Sequence, residues 1–120
     1  MKRINMIAFF AIFFSTAAIA GEADVTSVEA FKEYKGLWRF NVTVRHDDTG
    51  WDHYADRWEI LSENGDILAT RVLHHPHENE QPFTRSLSGV EIPAGIKSVV
   101  VRAHDSVDGY GGRTEIVSVD

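Results

Sequence analysis

The sequence predicts an all-β protein, a sandwich of seven short antiparallel strands, and three observations carry that reading. Between residues 37 and 45 apolar and polar side chains alternate strictly: Trp38, Phe40, Val42 and Val44 share one parity, Arg39, Asn41, Thr43 and Arg45 the other, which is the period of a half-buried strand. Asn64-Gly65 sits between two strand-like stretches, and that pair favours the two-residue turn of a β-hairpin. Turn-forming residues recur about every ten positions, and no segment beyond the N-terminus has helical periodicity, a pattern that points to a sandwich.

The first twenty residues stand apart. Met1-Lys2-Arg3 is a short cationic start, an unbroken apolar run occupies residues 6–14, and Ala18-Ile19-Ala20 precedes Gly21. These are the parts of a secretory signal peptide, with cleavage expected after Ala20. The apolar run is too short for a transmembrane anchor, which needs about 20 residues, and a chain without cysteine has no thiol for an N-terminal lipid. The expected product, residues 21–120, is one soluble domain, periplasmic or secreted, monomeric or weakly oligomeric.

Charge and cysteine count exclude several function classes. Lys2 and Arg3 are two of the 12 basic residues while all 18 acidic residues follow position 20, so the processed chain carries a net charge of about −8. Nucleic acid and anionic lipid both require a basic surface that is missing here. Without cysteines, thiol redox chemistry, Cys-ligated zinc and blue-copper sites are excluded, and core packing must supply the stability that small exported domains often take from disulfides.

The elements follow in order. Residues 25–31 form a loosely patterned edge strand, and residues 37–45 the amphipathic second strand. His46-Asp47-Asp48-Thr49-Gly50 breaks that strand with turn formers, and Trp51-Asp52-His53-Tyr54-Ala55-Asp56 completes a long connection. Residues 57–61 and 67–74 are the arms of the hairpin at Asn64-Gly65, with Trp58 expected in the core. His74-His75-Pro76-His77-Glu78-Asn79-Glu80-Gln81-Pro82 is loop, because each proline removes a ladder donor. Residues 83–88 resume with Phe83 and Leu87 inward. Residues 97–104 form the most apolar strand, with Val99, Val101 and Ala103 on one face, and residues 114–119 the last.

Ile92-Pro93-Ala94-Gly95, Val99-Val100-Val101-Arg102-Ala103, Asp105-Ser106 and Gly109-Tyr110-Gly111-Gly112 resemble the E–F turn, strand F and F–G loop of fibronectin type III and related immunoglobulin-like domains, as found in small exported bacterial proteins. The resemblance covers about a fifth of the chain and implies a seven-stranded immunoglobulin-like sandwich whose end loops can carry recognition. The long connection around Trp51 and the histidine-bearing loop depart from that family's pattern.

In such a sandwich, with strands lettered A to G, connections B–C, D–E and F–G lie at one end. His46 and His53 belong to B–C, His74, His75 and His77 to D–E, and His104 ends strand F, so all six histidines are expected at one pole. Asp47, Asp48, Asp52, Asp56, Glu78, Glu80, Asp105 and Asp108 share that pole. Imidazole with carboxylate suits copper or zinc, and the expected ligands are His53, His75, His77 and His104, with His46 and His74 secondary. Two other readings of the histidines stay open: solvated loop residues bonded to carbonyls, or a pH-responsive cluster.

Three functions are therefore weighed. The first is a non-enzymatic binding or interaction module that uses this pole, with Trp51, Tyr54, Glu78, Glu80 and Arg85 facing an unidentified protein or small ligand. The second is a periplasmic copper or zinc protein using the same pole. The third, a small hydrolase, has serines at Ser86, Ser88 and Ser106 but no nucleophile-elbow pattern, and His104 and Asp105 as strand neighbours point to opposite faces. Glu80 and Arg85 are expected to pair within the D–E loop.

Overall fold

A computed structural model of the chain describes residues 21–120; the expected signal peptide lies outside the described residues. Seven strands are formed: β1 (Asp24–Lys32), β2 (Trp38–Arg45), β3 (Ala55–Leu61), β4 (Ile67–Val72), β5 (Phe83–Val90), β6 (Ser98–Asp105) and β7 (Glu115–Ser118). They make two antiparallel sheets, one ordered β1-β2-β5 and the other β4-β3-β6-β7. Each strand coincides with one expected from the alternation and turn signals, and the only helical element among the described residues is a 3-10 turn at Tyr34–Gly36. No helix among the described residues is long and apolar enough to cross a membrane.

Side-chain parity builds the core. Trp38, Phe40, Val42 and Val44 of β2 are buried and meet Val99, Val101 and Ala103 of β6 in one apolar cluster with Trp58, Ile60 and Phe83, while Leu87 packs against its margin. Fully burying a large apolar side chain contributes roughly 1.5–3 kcal/mol. Phe40, Phe83 and Trp58 are therefore leading contributors in a chain without disulfides. An irregularity in the β3–β6 register between Ala55 and Arg57 changes the phase of β3, so that odd-numbered Ala55 and even-numbered Trp58 and Ile60 all face inward.

The outward parity of the same sheet carries a closed polar network. Glu59 is only 3% exposed although it lies on the outer face, because Arg102, Arg57 and Tyr110 cover it. Its Oε1 accepts from Arg102 Nε at 2.8 Å, its Oε2 from Arg57 Nε at 3.0 Å, and the Tyr110 hydroxyl lies 3.1 Å from both oxygens. The Arg102 guanidinium lies 3.7 Å from the Tyr110 ring centroid, a cation–π geometry.

Because successive strands alternate in direction, the β2–β3, β4–β5 and β6–β7 connections gather at one end of the sandwich, together with the start of β1. The six histidines lie at that pole, His46 and His53 after β2, His74, His75 and His77 after β4, and His104 as the penultimate residue of β6.

The Glu59 network carries a pH prediction. Burial opposes ionisation of Glu59, but the hydrogen bonds from Arg102, Arg57 and Tyr110 outweigh it and hold the carboxyl below the ordinary glutamate value of 4.5. A carboxyl depressed by folding contributes stability that is present above its unfolded pKa and lost as pH falls through the folded one. Urea unfolding followed from pH 7 downwards should therefore show stability falling below about pH 4.5, with a shallower acid decline in Glu59→Gln, which starts from a lower value at pH 7.

Candidate metal centre

The site begins where two strands keep their inward parity one step past the apolar core. His46 follows Phe40, Val42 and Val44 in phase, and Asp105 follows Val101 and Ala103. The last inward positions of the two facing sheets are thus an imidazole and a carboxylate, 2% and 0% exposed, and they meet: His46 Nε2 contacts Asp105 Oδ2. His53, brought round by the β2–β3 connection, places its own Nε2 2.8 Å from the same oxygen, with the two rings edge to face at 5.0 Å. The ligating atoms of His46, His53 and Asp105 all lie within 4.8 Å of one another.

Each group is oriented from behind. Asp105 Oδ1 accepts the backbone N–H groups of Val107 and Asp108 at 2.6 and 2.9 Å, which leaves Oδ2 to face the histidines. The carboxyl of Asp48 is buried. Its Oδ1 receives His46 Nδ1 at 2.5 Å and the Ala55 N–H at 3.1 Å, and its Oδ2 receives the His77 N–H at 2.6 Å. Asp48 therefore fixes the plane of the His46 ring and ties the β4–β5 connection to the site. The Asp108 carboxylate stands 3.2 Å from His53 Nε2 on the solvent side.

The electrostatics follow from this packing. Burial alone would lower the His46 pKa, but hydrogen bonds to Asp48 and Asp105 overcome it and push the value up to about 9. The same contacts hold Asp48 and Asp105 below the usual carboxylate range, against the opposing effect of burial. His53 is raised too, the Asp105 hydrogen bond and charge outweighing desolvation. With a carboxylate at each ring nitrogen, His46 faces an acceptor on both sides. Two protons on the ring satisfy both contacts, and so does one proton at Nδ1 with a cation at Nε2.

Of the four histidines expected as principal ligands, the structure brings His53 into this cluster; His46, expected as secondary, is its buried centre. His77 is buried against Phe83, stacked at 4.0 Å with rings 9° apart, and neither of its ring nitrogens has a hydrogen-bond partner; burial pushes its pKa down. His75 lies 4.7 Å from the His77 ring, its Nδ1 bonded to the Pro76 carbonyl, and His74 stands exposed before it. His104 faces the opposite side of β6 from Asp105, bonded to Asp56 at 2.7 Å and edge-on to Tyr110.

Among the residues expected to form an interaction surface, Trp51 is 67% exposed and edge-on to Tyr54 at 5.6 Å. Glu80 and Arg85 pair at 3.0 Å, and Glu78 is exposed in the same loop. Sequence reasoning had not singled out Asp48 and Asp105 as the partners that organise the cluster, although one signal identifies them. Extending the core parities of β2 and β6 by one step lands on His46 and Asp105, and a carboxylate two residues after His46 is placed to orient its ring.

Two substitutions separate the supporting carboxylate from the stacked imidazole. Asp48→Ala strands the His46 ring N–H and the Ala55 and His77 backbone N–H groups, and a stranded buried donor costs roughly 1–3 kcal/mol. A large drop in the urea midpoint of the metal-free protein is expected. His77→Phe removes two unpartnered nitrogens and keeps the stack on Phe83, so its midpoint should stay within about 1 kcal/mol of the parent.

Over 99 residues, 82% of its length, the chain is 42% identical to a protein named "Putative lipoprotein" from Halomicrobium mukohataei. The matched region takes up 48% of that relative, so the chain spans about half the length of the curated relative it matches. No family model matches the sequence, and no solved structure matches it.

Proposed function

We propose that this chain is an exported, non-enzymatic binding module that holds a divalent copper or zinc ion at the loop pole through His46, His53 and Asp105. The observation that carries the reading is the convergence of two imidazole Nε2 atoms on one carboxylate oxygen, with the more buried ring pinned from behind by a second carboxylate. Metal-bound histidines characteristically donate their other N–H to such a carboxylate, which fixes the tautomer and raises the basicity of the ligating nitrogen. Three carboxylates, Asp48, Asp105 and Asp108, face the two imidazoles of His46 and His53, so carboxylates outnumber the rings and leave negative charge that a divalent cation offsets. Ligand atoms around one ion at about 2.0–2.2 Å stand roughly 3–4 Å apart, so His53 Nε2 and Asp105 Oδ2, now 2.8 Å apart at hydrogen-bond distance, would separate slightly as an ion replaces the proton between them.

Export is supported by the signal-like first twenty residues and by the likeness to the Halomicrobium mukohataei protein named "Putative lipoprotein". The immunoglobulin-like reading of the fold is supported by the strand partition, first, second and fifth strands opposite third, sixth and seventh. Here β4 joins β3 rather than lying beside β5, unlike the constant-type immunoglobulin arrangement. Trp51 and Tyr54 flank the pole and would give a partner protein an aromatic contact beside the ion.

Thermal unfolding with added Cu(II) or Zn(II) tests the reading. An ion at 100 times its dissociation constant adds about 2.7 kcal/mol of stability, so the melting temperature of residues 21–120 should rise by several degrees. His46→Ala and His53→Ala should abolish the rise, whereas the double variant His75→Ala, His77→Phe should keep it. An equal response in all four proteins would place any bound ion outside this cluster.

A further inference from the structure

The backbone carbonyl of Gly21 reaches the donor cluster. Its oxygen is 3.0 Å from His46 Nε2 and 3.3 Å from His53 Nε2, the two nitrogens that converge on Asp105. The approach is close enough that a Cβ on residue 21 would stand 2.6 Å from Asp108 Oδ2 and 3.6 Å from His53 Cε1, so only glycine fits without a shift. Residues just beyond hold it there. Ala23 is 1% exposed, its carbonyl packed so tightly on Gly112 that a Cβ on Gly112 would meet it at 1.9 Å. The Val25 N–H donates to the Arg113 carbonyl at 2.8 Å, and the Arg113 N–H donates to Asp24 Oδ1 at 2.7 Å.

We infer that export processing completes this site: cleavage after Ala20 frees the Gly21 α-amine, which joins the Gly21 carbonyl, His46, His53 and Asp105 around one Cu(II) ion. The inference rests on the proposed metal-binding function and adds the ligand that selects the ion. In the uncleaved chain the Gly21 nitrogen is an amide, whose lone pair is delocalised and donates poorly. Hydrolysis of the Ala20–Gly21 peptide bond turns it into a primary amine. That nitrogen and the carbonyl oxygen are separated only by the Cα–C unit, so both reach one ion in a five-membered chelate ring. The amine gives its lone pair to the ion and any bound proton to solvent. Two imidazoles, one amine and oxygen donors form a nitrogen-rich set, and such sets favour Cu(II) over Zn(II) and the other first-row divalent ions. A precursor still carrying its leader would hold copper weakly, and the processed protein tightly.

Three proteins test this: residues 21–120 released with a native Gly21 terminus, the same chain extended by Ala20, and His46→Ala with the native terminus. Cu(II) affinity is measured by competition with a chelator of known affinity, and the ligand nitrogens are counted by electron paramagnetic resonance. The native-terminus protein should bind at least about tenfold more tightly than the Ala20-extended one and show one more coupled nitrogen, and His46→Ala should lose the site. Equal affinity and identical spectra for the first two, with binding still lost in His46→Ala, would overturn the role of the amine and leave the ion site standing. Absence of tight binding in all three would overturn both. Gly21→Ala with a free terminus gives a second reading, because it keeps the amine but drives a methyl group onto Asp108. Reduced affinity there supports the close approach, and full affinity counts against it.

Discussion

The pole of this sandwich depends on one buried carboxylate. Asp48 receives a ring nitrogen from the end of β2, a backbone N–H from the start of β3 and another from the β4–β5 connection, so a single side chain joins three segments distant in sequence. An unpaired carboxylate in such a place would be neutralised or expelled, because burial penalises its charge by several kcal/mol. Three donors keep it ionised, and its charge then dictates the rest. His46 must turn Nδ1 towards it, Nε2 is thereby aimed across the sandwich, and Asp105 on the opposite sheet receives it.

The fold was largely legible because period-two patterning is a local property. Seven strands, the hairpin at Asn64-Gly65, the inward sets of β2 and β6, the buried Trp58 and the gathering of histidines at one end all follow from alternation and strand direction. The composition of the site was less legible, because it depends on which face each residue takes at a strand's end. His104 and Asp105 are neighbours in sequence, yet the first turns outward to Asp56 and Tyr110 while the second closes the core. His75 and His77 are close to each other but belong to a different loop from the cluster, and His77 is used as an aromatic plate on Phe83. The contribution of the Gly21 carbonyl had no signal in residue type, since backbone atoms carry none.

The two faces of the β4-β3-β6-β7 sheet solve the same electrostatic problem in different ways. On the outer face Glu59 is matched by permanent cations, Arg57 and Arg102, and by the Tyr110 hydroxyl, so its charge is balanced within the protein. At the pole Asp48, Asp105 and Asp108 have backbone N–H groups and imidazoles around them but no arginine or lysine, and the charge of an imidazole depends on bound protons or on a metal. The first arrangement is self-sufficient. The second takes its compensating charge from solution, which is the property expected of a binding site rather than a structural clamp.

The span of chain that the cluster closes has a further consequence. Its donors lie 25 and 59 residues apart, counting from His46 to Gly21 and to Asp105, and they join the segment before β1, one sheet and the facing sheet of a protein with no cysteine. A cation bridging them acts as a removable covalent-like tie across long loops, and restricting such loops disfavours the unfolded chain. Such a tie would answer to free metal instead of to redox potential. Chelation would then make the domain's lifetime against proteases a function of its surroundings.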